Sequence, residues 1–241
     1  WVSIHHANNE SGVIQPIAGI AALVRAHGGW LHVDAVQSAG KIPTRMDDLG
    51  CDTLTLSAHK LGGPQGVGCL VAGPRATVHK TLFGSGQERG LRAGTENGPG
   101  LSGFGAAAKA AKSELDAGMD HSAWRDAAAE RLKGHGCVVA GDGTARLPNT
   151  LFVATPGWSS MAQLMALDLG GVMVSGGSAC SSGKAKPSIA MVAMGLDELA
   201  TSTIRVSGGW GTTEADWVRF ADVWEEAFLK HRARHPEVEP A

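Results

Sequence analysis

Lys60 closes the segment Ser57-Ala58-His59-Lys60, which lies between a strand-like run and a glycine-rich turn. A lysine just after a strand end can enter a cleft without being solvated on all sides. Once it is desolvated or placed near another cation, its amine becomes a nucleophile for carbonyl groups. The alternative is a solvated lysine in a surface turn, where most lysines lie. Taken alone, Lys60 fits that alternative better.

Asp34 and Gln37 favour the functional interpretation of Lys60 over the surface turn. Asp34 ends the apolar run Trp30-Leu31-His32-Val33, and the carboxyl ends of parallel strands line ligand crevices. A pyridoxal ring needs an acid beside its pyridinium nitrogen, because the protonated nitrogen makes the ring an electron sink. Gln37 follows three residues later, within reach of the same ring. The alternative for Asp34 is a cap or turn residue at the strand end.

A pair of amides follows the strand-like run Val2-Ser3-Ile4-His5, in the segment Asn8-Asn9-Glu10-Ser11-Gly12. Two amides before a glycine are typical of a turn. The functional alternative is an amide that donates to a cofactor ring oxygen or to a substrate carboxylate. The pattern leaves both interpretations open.

Cys180 lies in the loop Ser175-Gly176-Gly177-Ser178-Ala179-Cys180-Ser181-Ser182-Gly183, whose residues are small. The thiolate is the reactive form of cysteine, so a nucleophilic Cys180 requires partial exposure and a nearby positive group or base. The alternative is a buried structural cysteine, which we expect for Cys51, Cys69 and Cys137. The small polar neighbours of Cys180 favour the reactive role.

Arg205 occupies the middle of the strand-like run Thr203-Ile204-Arg205-Val206-Ser207. Ile204 and Val206 face one side of that strand and Arg205 faces the other. An arginine opposite an apolar face is well placed to bind a carboxylate through two hydrogen bonds. A surface strand arginine is the alternative.

The elements that must position these residues follow two patterns. Through residue 115, strand-like runs alternate with helices or loops, which predicts a mostly parallel α/β sheet with flanking helices. From Pro148 the pattern becomes α+β, with a final helix that begins at Thr213 and has Asp216 as the partner in a capping box. We expect strands at 2–5, 30–34, 53–57, 67–71, 149–154, 172–175 and 203–207, and helices at 16–27, 101–115, 122–134, 161–169, 187–195 and 213–231. We place the domain boundary between 1–115 and 116–241.

Composition excludes several classes of protein. The 241 residues carry a formal net charge of −2, so no nucleic-acid or membrane surface is indicated. No apolar run reaches membrane-spanning length, and no signal peptide is visible. The four cysteines include no CxxC pair, which favours a reducing cytoplasm. Trp1 stands where an initiator methionine would, in a strand-like run, so we expect sequence upstream of it.

Four segments together resemble the cysteine desulfurases, which are class V aminotransferase-like, fold-type I pyridoxal-phosphate enzymes. The segments occur in that family's order with similar gaps, and the resemblance covers nearly the whole chain. They are His6-Ala7-Asn8-Asn9-Glu10, His32-Val33-Asp34-Ala35-Val36-Gln37, Ser57-Ala58-His59-Lys60 and Arg89-Gly90-Leu91-Arg92-Ala93-Gly94-Thr95-Glu96-Asn97. The resemblance implies the fold-type I architecture, with 1–115 as the C-terminal part of the large cofactor-binding domain. It makes 116–241 the small α+β C-terminal domain that carries the cysteine loop.

The resemblance also implies how pyridoxal 5′-phosphate is bound. It makes Lys60 the Schiff-base lysine and Asp34 the partner of the pyridinium nitrogen. It assigns Gln37 to the phenolic oxygen of the ring, and Ser57 and His59 to the phosphate.

Further roles follow from the same resemblance. Asn9 lies beside the ring and the substrate carboxylate, which Arg205 binds. Thr95 reaches the phosphate of the neighbouring subunit's cofactor, which implies a homodimer with shared active sites. The loop of Cys180 resembles that of NifS/IscS-like enzymes, in which the cysteine takes sulfur from L-cysteine as a persulfide and L-alanine leaves. The acceptor would be an iron–sulfur scaffold or a sulfur-carrier protein, and Cys180 a transient metal ligand of a scaffold-bound iron–sulfur cluster.

The sequence departs from the family's pattern in places, including Gly177 and Ser181 of the cysteine loop, and alternatives stay open. Gly208-Gly209-Trp210-Gly211 replaces a commoner Leu-Gly-Arg. The family's small-residue phosphate-binding loop and its ring-stacking histidine lie upstream of the matching region and are not in this sequence. The alternative activities are a selenocysteine lyase or another class V pyridoxal-phosphate enzyme. A non-catalytic fragment or a sulfur-transfer scaffold is the alternative of a different class.

Overall fold

The computed structural model describes residues 1–118, 120–176 and 187–235. The chain divides into two compact units. The first comprises Trp1–Ala7 and Gln15–Met119, and the second comprises Asn8–Ile14 and Asp120–Ala241. Residues 8–14 therefore cluster with the second unit. The functional division at residue 115 stays a prediction.

The first unit is built on a four-stranded sheet of β1 (Val2–His5), β2 (Leu31–Asp34), β3 (Thr53–Ser57) and β4 (Gly68–Ala72). The strands lie in the order β1-β2-β3-β4, with the first three parallel and β4 antiparallel to β3. This confirms the expectation of a mostly parallel sheet. The parallel strands bring their carboxyl ends to one edge.

One face of this sheet forms the core of the first unit. Leu31, Val33 and Leu54 point to that face because successive side chains of a strand alternate. Helix α1 (Ile17–Ala26) covers them through Ile17 and Ala21. The short α2 (Met46–Leu49) and the long α3 (Gly98–Asp116) complete the unit, and α3 packs against the turn that carries Lys60.

The second unit contains an antiparallel sheet in the order β5-β6-β8-β7. Its strands are β5 (Val138–Val139), β6 (Thr150–Ala154), β7 (Ser175–Gly176) and β8 (Thr203–Ser207). Its helices are α4 (Ser122–Lys133), α5 (Ser160–Leu169), α6 (Ile189–Ala193) and α7 (Glu214–Arg234). The predicted capping box of Thr213 and Asp216 opens α7.

An aromatic cluster fixes α7 on this sheet. Trp224 is fully buried, stacks on Phe228 with ring centroids 4.8 Å apart, and lies 5.9 Å from the ring of Trp158. Arg131 of α4 donates to Asp222 and Glu225 of α7, which ties the two helices together at the surface.

Two expectations were wrong. Residues 172–174 are not a strand, because the amide of Val172 donates to the carbonyl of Leu167 and closes the last turn of α5. The strand is confined to Ser175–Gly176. Cys69 is not buried, because it lies on β4, whose five residues are all exposed at the end of the sheet.

The short elements α2 and β5 were not predicted, because four residues and two residues carry too little periodicity. Across the described ranges, no helix has the length and apolar character to cross a bilayer.

The burial of Trp224 in the aromatic cluster predicts that loss of its side chain strongly destabilises the protein. Replacing Trp224 with alanine should lower the free energy of unfolding by about 3–5 kcal/mol, because the buried ring leaves a cavity. The matched control is Leu229→Ala on the same helix, since Leu229 is 55% exposed and its loss should cost under about 0.5 kcal/mol. Denaturant unfolding at fixed pH measures both. Equal losses of unfolding free energy in the two variants would contradict the burial of Trp224 in this cluster.

Candidate functional site

The carboxyl ends of β2 and β3 place two polar residues at one edge of the first unit's sheet. Asp34 is the last residue of β2 and pairs in register with Thr55 of β3. Ser57 ends β3 two residues further on. The amide of Ala35 continues the pairing by donating to the carbonyl of Thr55 at 3.0 Å. The parallel pairing therefore brings Asp34 and Ser57 to the same edge, where ligand crevices form.

Asp34 retains hydrogen-bonding capacity at this edge. One carboxylate oxygen accepts from the amide of Val36 at 2.9 Å, which gives a local turn. The side chain is exposed, and within the described part of the chain its other oxygen has no partner. The turn interpretation of Asp34 is therefore correct for one oxygen and leaves the second available to a ligand.

A buried histidine holds the turn that follows Asp34. The Nδ1 of His6 lies 2.9 Å from Oγ of Ser38, and that hydroxyl donates to the carbonyl of Ala35. The single hydroxyl proton of Ser38 is donated to the carbonyl of Ala35. His6 must therefore donate to that hydroxyl oxygen through a protonated Nδ1. Burial lowers the pKa of His6, which favours the neutral ring. His6 thus anchors the backbone between Asp34 and Gln37.

The segment after β3 presents Lys60 and two polar neighbours. Ala58 is fully buried, and its backbone is held by bonds to Leu61, Gly63 and Val67. Oγ of Ser57 lies 2.7 Å from Nδ1 of His59, which leaves the other ring nitrogen of His59 for a ligand. His59 and Lys60 are both exposed on the short 3₁₀ turn Ala58–Lys60. A fixed backbone therefore presents an amine, an imidazole and a hydroxyl together.

Arg205 and Asn9 belong to the second unit. Arg205 lies on β8 between the buried Ile204 and Val206, as the alternation predicts. One terminal nitrogen of its guanidinium donates to the backbone carbonyl of Asn9 at 2.6 Å, and its Nε is buried without a partner among the described residues. A buried donor that lacks an acceptor is the feature expected of a site that binds a carboxylate.

The side chains of Asn8 and Asn9 differ in their contacts and exposure. The side-chain oxygen of Asn8 accepts from the amides of Glu10 and Ser11 at 2.9 Å each, so Asn8 is the turn residue. The side chain of Asn9 is exposed. Asn9 is therefore the one left for a ligand.

The predicted site residues divide between the two units. The first unit brings Asp34, Gln37, Ser57, His59 and Lys60 to one edge of its sheet. Asn9 and Arg205 meet within the second unit. Thr95 lies exposed in the loop before α3. Cys180 lies outside the described residues.

Three further residues shape this edge and were not among the predicted site residues. His6 and Ser38 lie 32 residues apart, so no local pattern links them. Lys41 contacts Gln37 at a spacing of four residues, which is a signal that could have been used.

The buried cysteines are poor nucleophiles. Burial raises the pKa of Cys51, and it raises the pKa of Cys137 to about 11. Both thiols are therefore protonated at neutral pH, as expected for structural cysteines. Within the described ranges, no three His, Cys, Asp or Glu side chains are grouped so that they could hold a metal ion.

Comparison with known proteins gives a consistent result. The family model for aminotransferase class-V matches residues 1–220. A cysteine desulfurase of Trichormus azollae is 40% identical over 239 residues, which are 98% of this chain and 60% of that protein. A cysteine desulfurase IscS of an Anaeromyxobacter species is 44% identical over 224 residues, which are 89% of this chain and 54% of that protein.

Solved structures agree with these relatives. The crystal structure of a NifS-like protein from Rickettsia africae matches with a TM-score of 0.82 and 33% identity, over 95% of this chain and 61% of that one. A second NifS-like protein matches with a TM-score of 0.84 and 34% identity. These matches confirm the expected fold-type I class. The chain spans about 60% of the length of the curated relatives it matches.

The exposure of the described cysteines predicts their reactivity. Cys69 should be alkylated by iodoacetamide at pH 7.5 at least about ten times faster than Cys137, because its thiol is exposed, whereas that of Cys137 is buried and has its pKa raised to about 11; desolvation also raises the pKa of Cys69, but less. Peptide mapping by mass spectrometry over a time course measures the two rates. Comparable rates in the folded protein would contradict the burial of Cys137.

Proposed function

Because this chain belongs to the class V aminotransferase family, we propose that its protein is a pyridoxal-phosphate-dependent cysteine desulfurase. The observation that carries this proposal is the edge of the first unit's sheet. There a strand-end carboxylate, a strand-end hydroxyl and an exposed lysine are held on adjacent parallel strands. The names of the relatives support the choice of reaction.

The donors and acceptors at this edge fit the cofactor. The available oxygen of Asp34 would accept from the pyridinium nitrogen, and the amide of Gln37 would donate to the phenolic oxygen. Ser57 and the remaining nitrogen of His59 would bind the phosphate. Lys60 would supply the amine that joins the cofactor's carbonyl carbon. When bound, the cofactor supplies a protonated ring that stores the electron pair released at the substrate's α-carbon.

The remaining residues would handle the amino acid. Arg205 would bind the carboxylate of L-cysteine through its unpartnered Nε and one further nitrogen, with Asn9 beside it. Lys60, released from its bond to the cofactor, would take the α-proton. Because Arg205 is already fixed by the carbonyl of Asn9, little ordering remains when substrate binds.

Cys180 would receive the sulfur. Its thiolate would attack the sulfur of L-cysteine, and the carbon–sulfur bond would break with its electron pair left on the β-carbon. The β-carbon would take a proton, the α-carbon would regain one, and L-alanine would leave while Cys180 retains a persulfide. Among the described cysteines, Cys51 and Cys137 are excluded as the nucleophile because they are buried and protonated. The persulfide would pass to an iron–sulfur scaffold or a sulfur-carrier protein. Transient ligation of a scaffold-bound cluster by Cys180 is part of the same proposal.

The proposal extends to assembly and location. Thr95 would reach the cofactor phosphate of a second subunit, which makes the protein a homodimer with shared sites. The exposure of Thr95 supports this role. We place the protein in the cytoplasm, where reduced thiols persist.

Exchange of Cys180 tests the proposal. Cys180→Ser should lower alanine formation from L-cysteine by at least about 100-fold while leaving cofactor absorption unchanged, because the nucleophile alone is lost. The matched control is Cys69→Ser, which removes an exposed thiol and should retain wild-type activity. Alanine is assayed with dithiothreitol as the sulfur acceptor.

Four outcomes would contradict the proposal. Full alanine formation by Cys180→Ser would remove its nucleophilic role. Equal loss in both variants would indicate a nonspecific effect of removing a thiol. A wild-type protein that binds no cofactor and forms no alanine would favour the non-catalytic alternative. Turnover of selenocysteine but not cysteine would favour the selenocysteine lyase.

A further inference from the structure

Resting on the function proposed above, we propose that Lys41 is a positioning residue that sets the orientation of the Gln37 side-chain amide. Its ammonium group holds the amide oxygen of Gln37. The amide nitrogen is thereby left as the group that can meet the phenolic oxygen of the cofactor. Lys41 would act through Gln37 and would not touch the cofactor.

The contact itself is bidentate. Nζ of Lys41 donates to the backbone carbonyl of Gln37 at 2.9 Å and approaches its side-chain oxygen at 3.4 Å. Both residues are half-buried, so the contact is partly shielded from water. One ammonium group therefore holds the backbone and the side chain of the same residue.

The chemistry of the two groups decides the orientation. An ammonium group has three donors and no acceptor, so it can hold only the oxygen of an amide. If the amide of Gln37 turned by half a rotation, its NH₂ group would face the ammonium group and the contact would be lost. An isolated amide can adopt either of two orientations that exchange its oxygen and its nitrogen. Lys41 thus selects one of them.

The orientation matters because the two ends of the amide have opposite effects on an anionic oxygen. An N–H donor stabilises a phenolate, whereas a carbonyl oxygen in the same place repels it. The positive charge of Lys41 on the amide oxygen also polarises the N–H groups and strengthens their hydrogen bonds. If the Gln37 side chain is oriented before the cofactor binds, binding requires no further ordering of that side chain.

The turn that carries Gln37 and Lys41 is held by several backbone hydrogen bonds, so it can keep the two side chains in place. The amides of Ser38 and Ala39 donate to the carbonyl of Ala35, and those of Lys41 and Ile42 donate to the carbonyl of Ser38. Gly40 has a φ of +73°, and a Cβ there would lie 2.5 Å from a methyl group of Leu61. The bond from His6 to Ser38 fixes the same turn to the end of β1.

The contact can be tested without any cofactor. In a ¹⁵N–¹H correlation spectrum, the side-chain NH₂ signals of Gln37 are assigned by their loss in Gln37→Glu. Lys41→Met should shift these signals by more than a linewidth, and Lys41→Arg, which keeps a cationic donor, should shift them less. The matched control is Lys112→Met on α3, a lysine whose side chain is 74% exposed, which should leave them unmoved.

A second readout uses the cofactor-loaded protein and the pH at which its visible absorption changes. A donor on the phenolic oxygen competes with the nearby imine proton for that oxygen, so losing the donor should raise this pH. We expect Lys41→Met to raise it by roughly half to one pH unit, the effect of losing one hydrogen bond. In a Gln37→Ala background the same substitution should have no further effect, because Lys41 would act through Gln37.

The outcomes separate this inference from the proposed function. Unmoved Gln37 signals in Lys41→Met, or an absorption shift that persists in Gln37→Ala, would overturn the role of Lys41. Should Lys41→Met fail to fold, Lys41→Ala replaces it, because alanine likewise has no charge and no donor and therefore predicts the same shifts. A wild-type protein without cofactor absorption would instead overturn the proposed function, and the cofactor-free spectrum would still decide whether Lys41 orients Gln37.

Discussion

The parallel pairing of β2 with β3 is the constraint on which the candidate site depends. Parallel strands end at the same edge, so the residues that follow them become neighbours although they are far apart in sequence. Asp34 and Ser57 meet in this way, and the short turn after Ser57 then presents Lys60. A shift of one residue in this pairing would turn Asp34 to the other face of the sheet.

Contacts outside the reacting groups convert this edge into a defined set of donors and acceptors. His6 and Ser38, which are buried, fix the backbone between Asp34 and Gln37, and Lys41 contacts Gln37 directly. In the second unit, Asn9 holds Arg205 through a backbone carbonyl. Each unit therefore arranges its own site residues, which is the preorganisation that binding a small charged ligand requires.

Much of this arrangement could be predicted from local pattern. The strands Val2–His5, Thr53–Ser57 and Thr203–Ser207 have the expected bounds, because alternation and turn residues mark them clearly. The placement of Asp34 and Ser57 at one edge of the sheet followed from the prediction of parallel strands. The start of β7 was misplaced at Val172, because the amide of Val172 donates to the carbonyl of Leu167 and closes the C-terminal turn of α5, whose end at Leu169 was predicted correctly. The pairing of His6 with Ser38 could not be predicted, since it depends on tertiary structure.

We propose that Lys60 is the residue that carries the cofactor at this edge. The decisive experiment adds pyridoxal 5′-phosphate, reduces with borohydride, and locates the modified lysine by peptide mass spectrometry. We expect a stoichiometric adduct on Lys60 and none at that position in Lys60→Ala. An adduct spread over exposed lysines such as Lys112, with Lys60 unmodified, would contradict it.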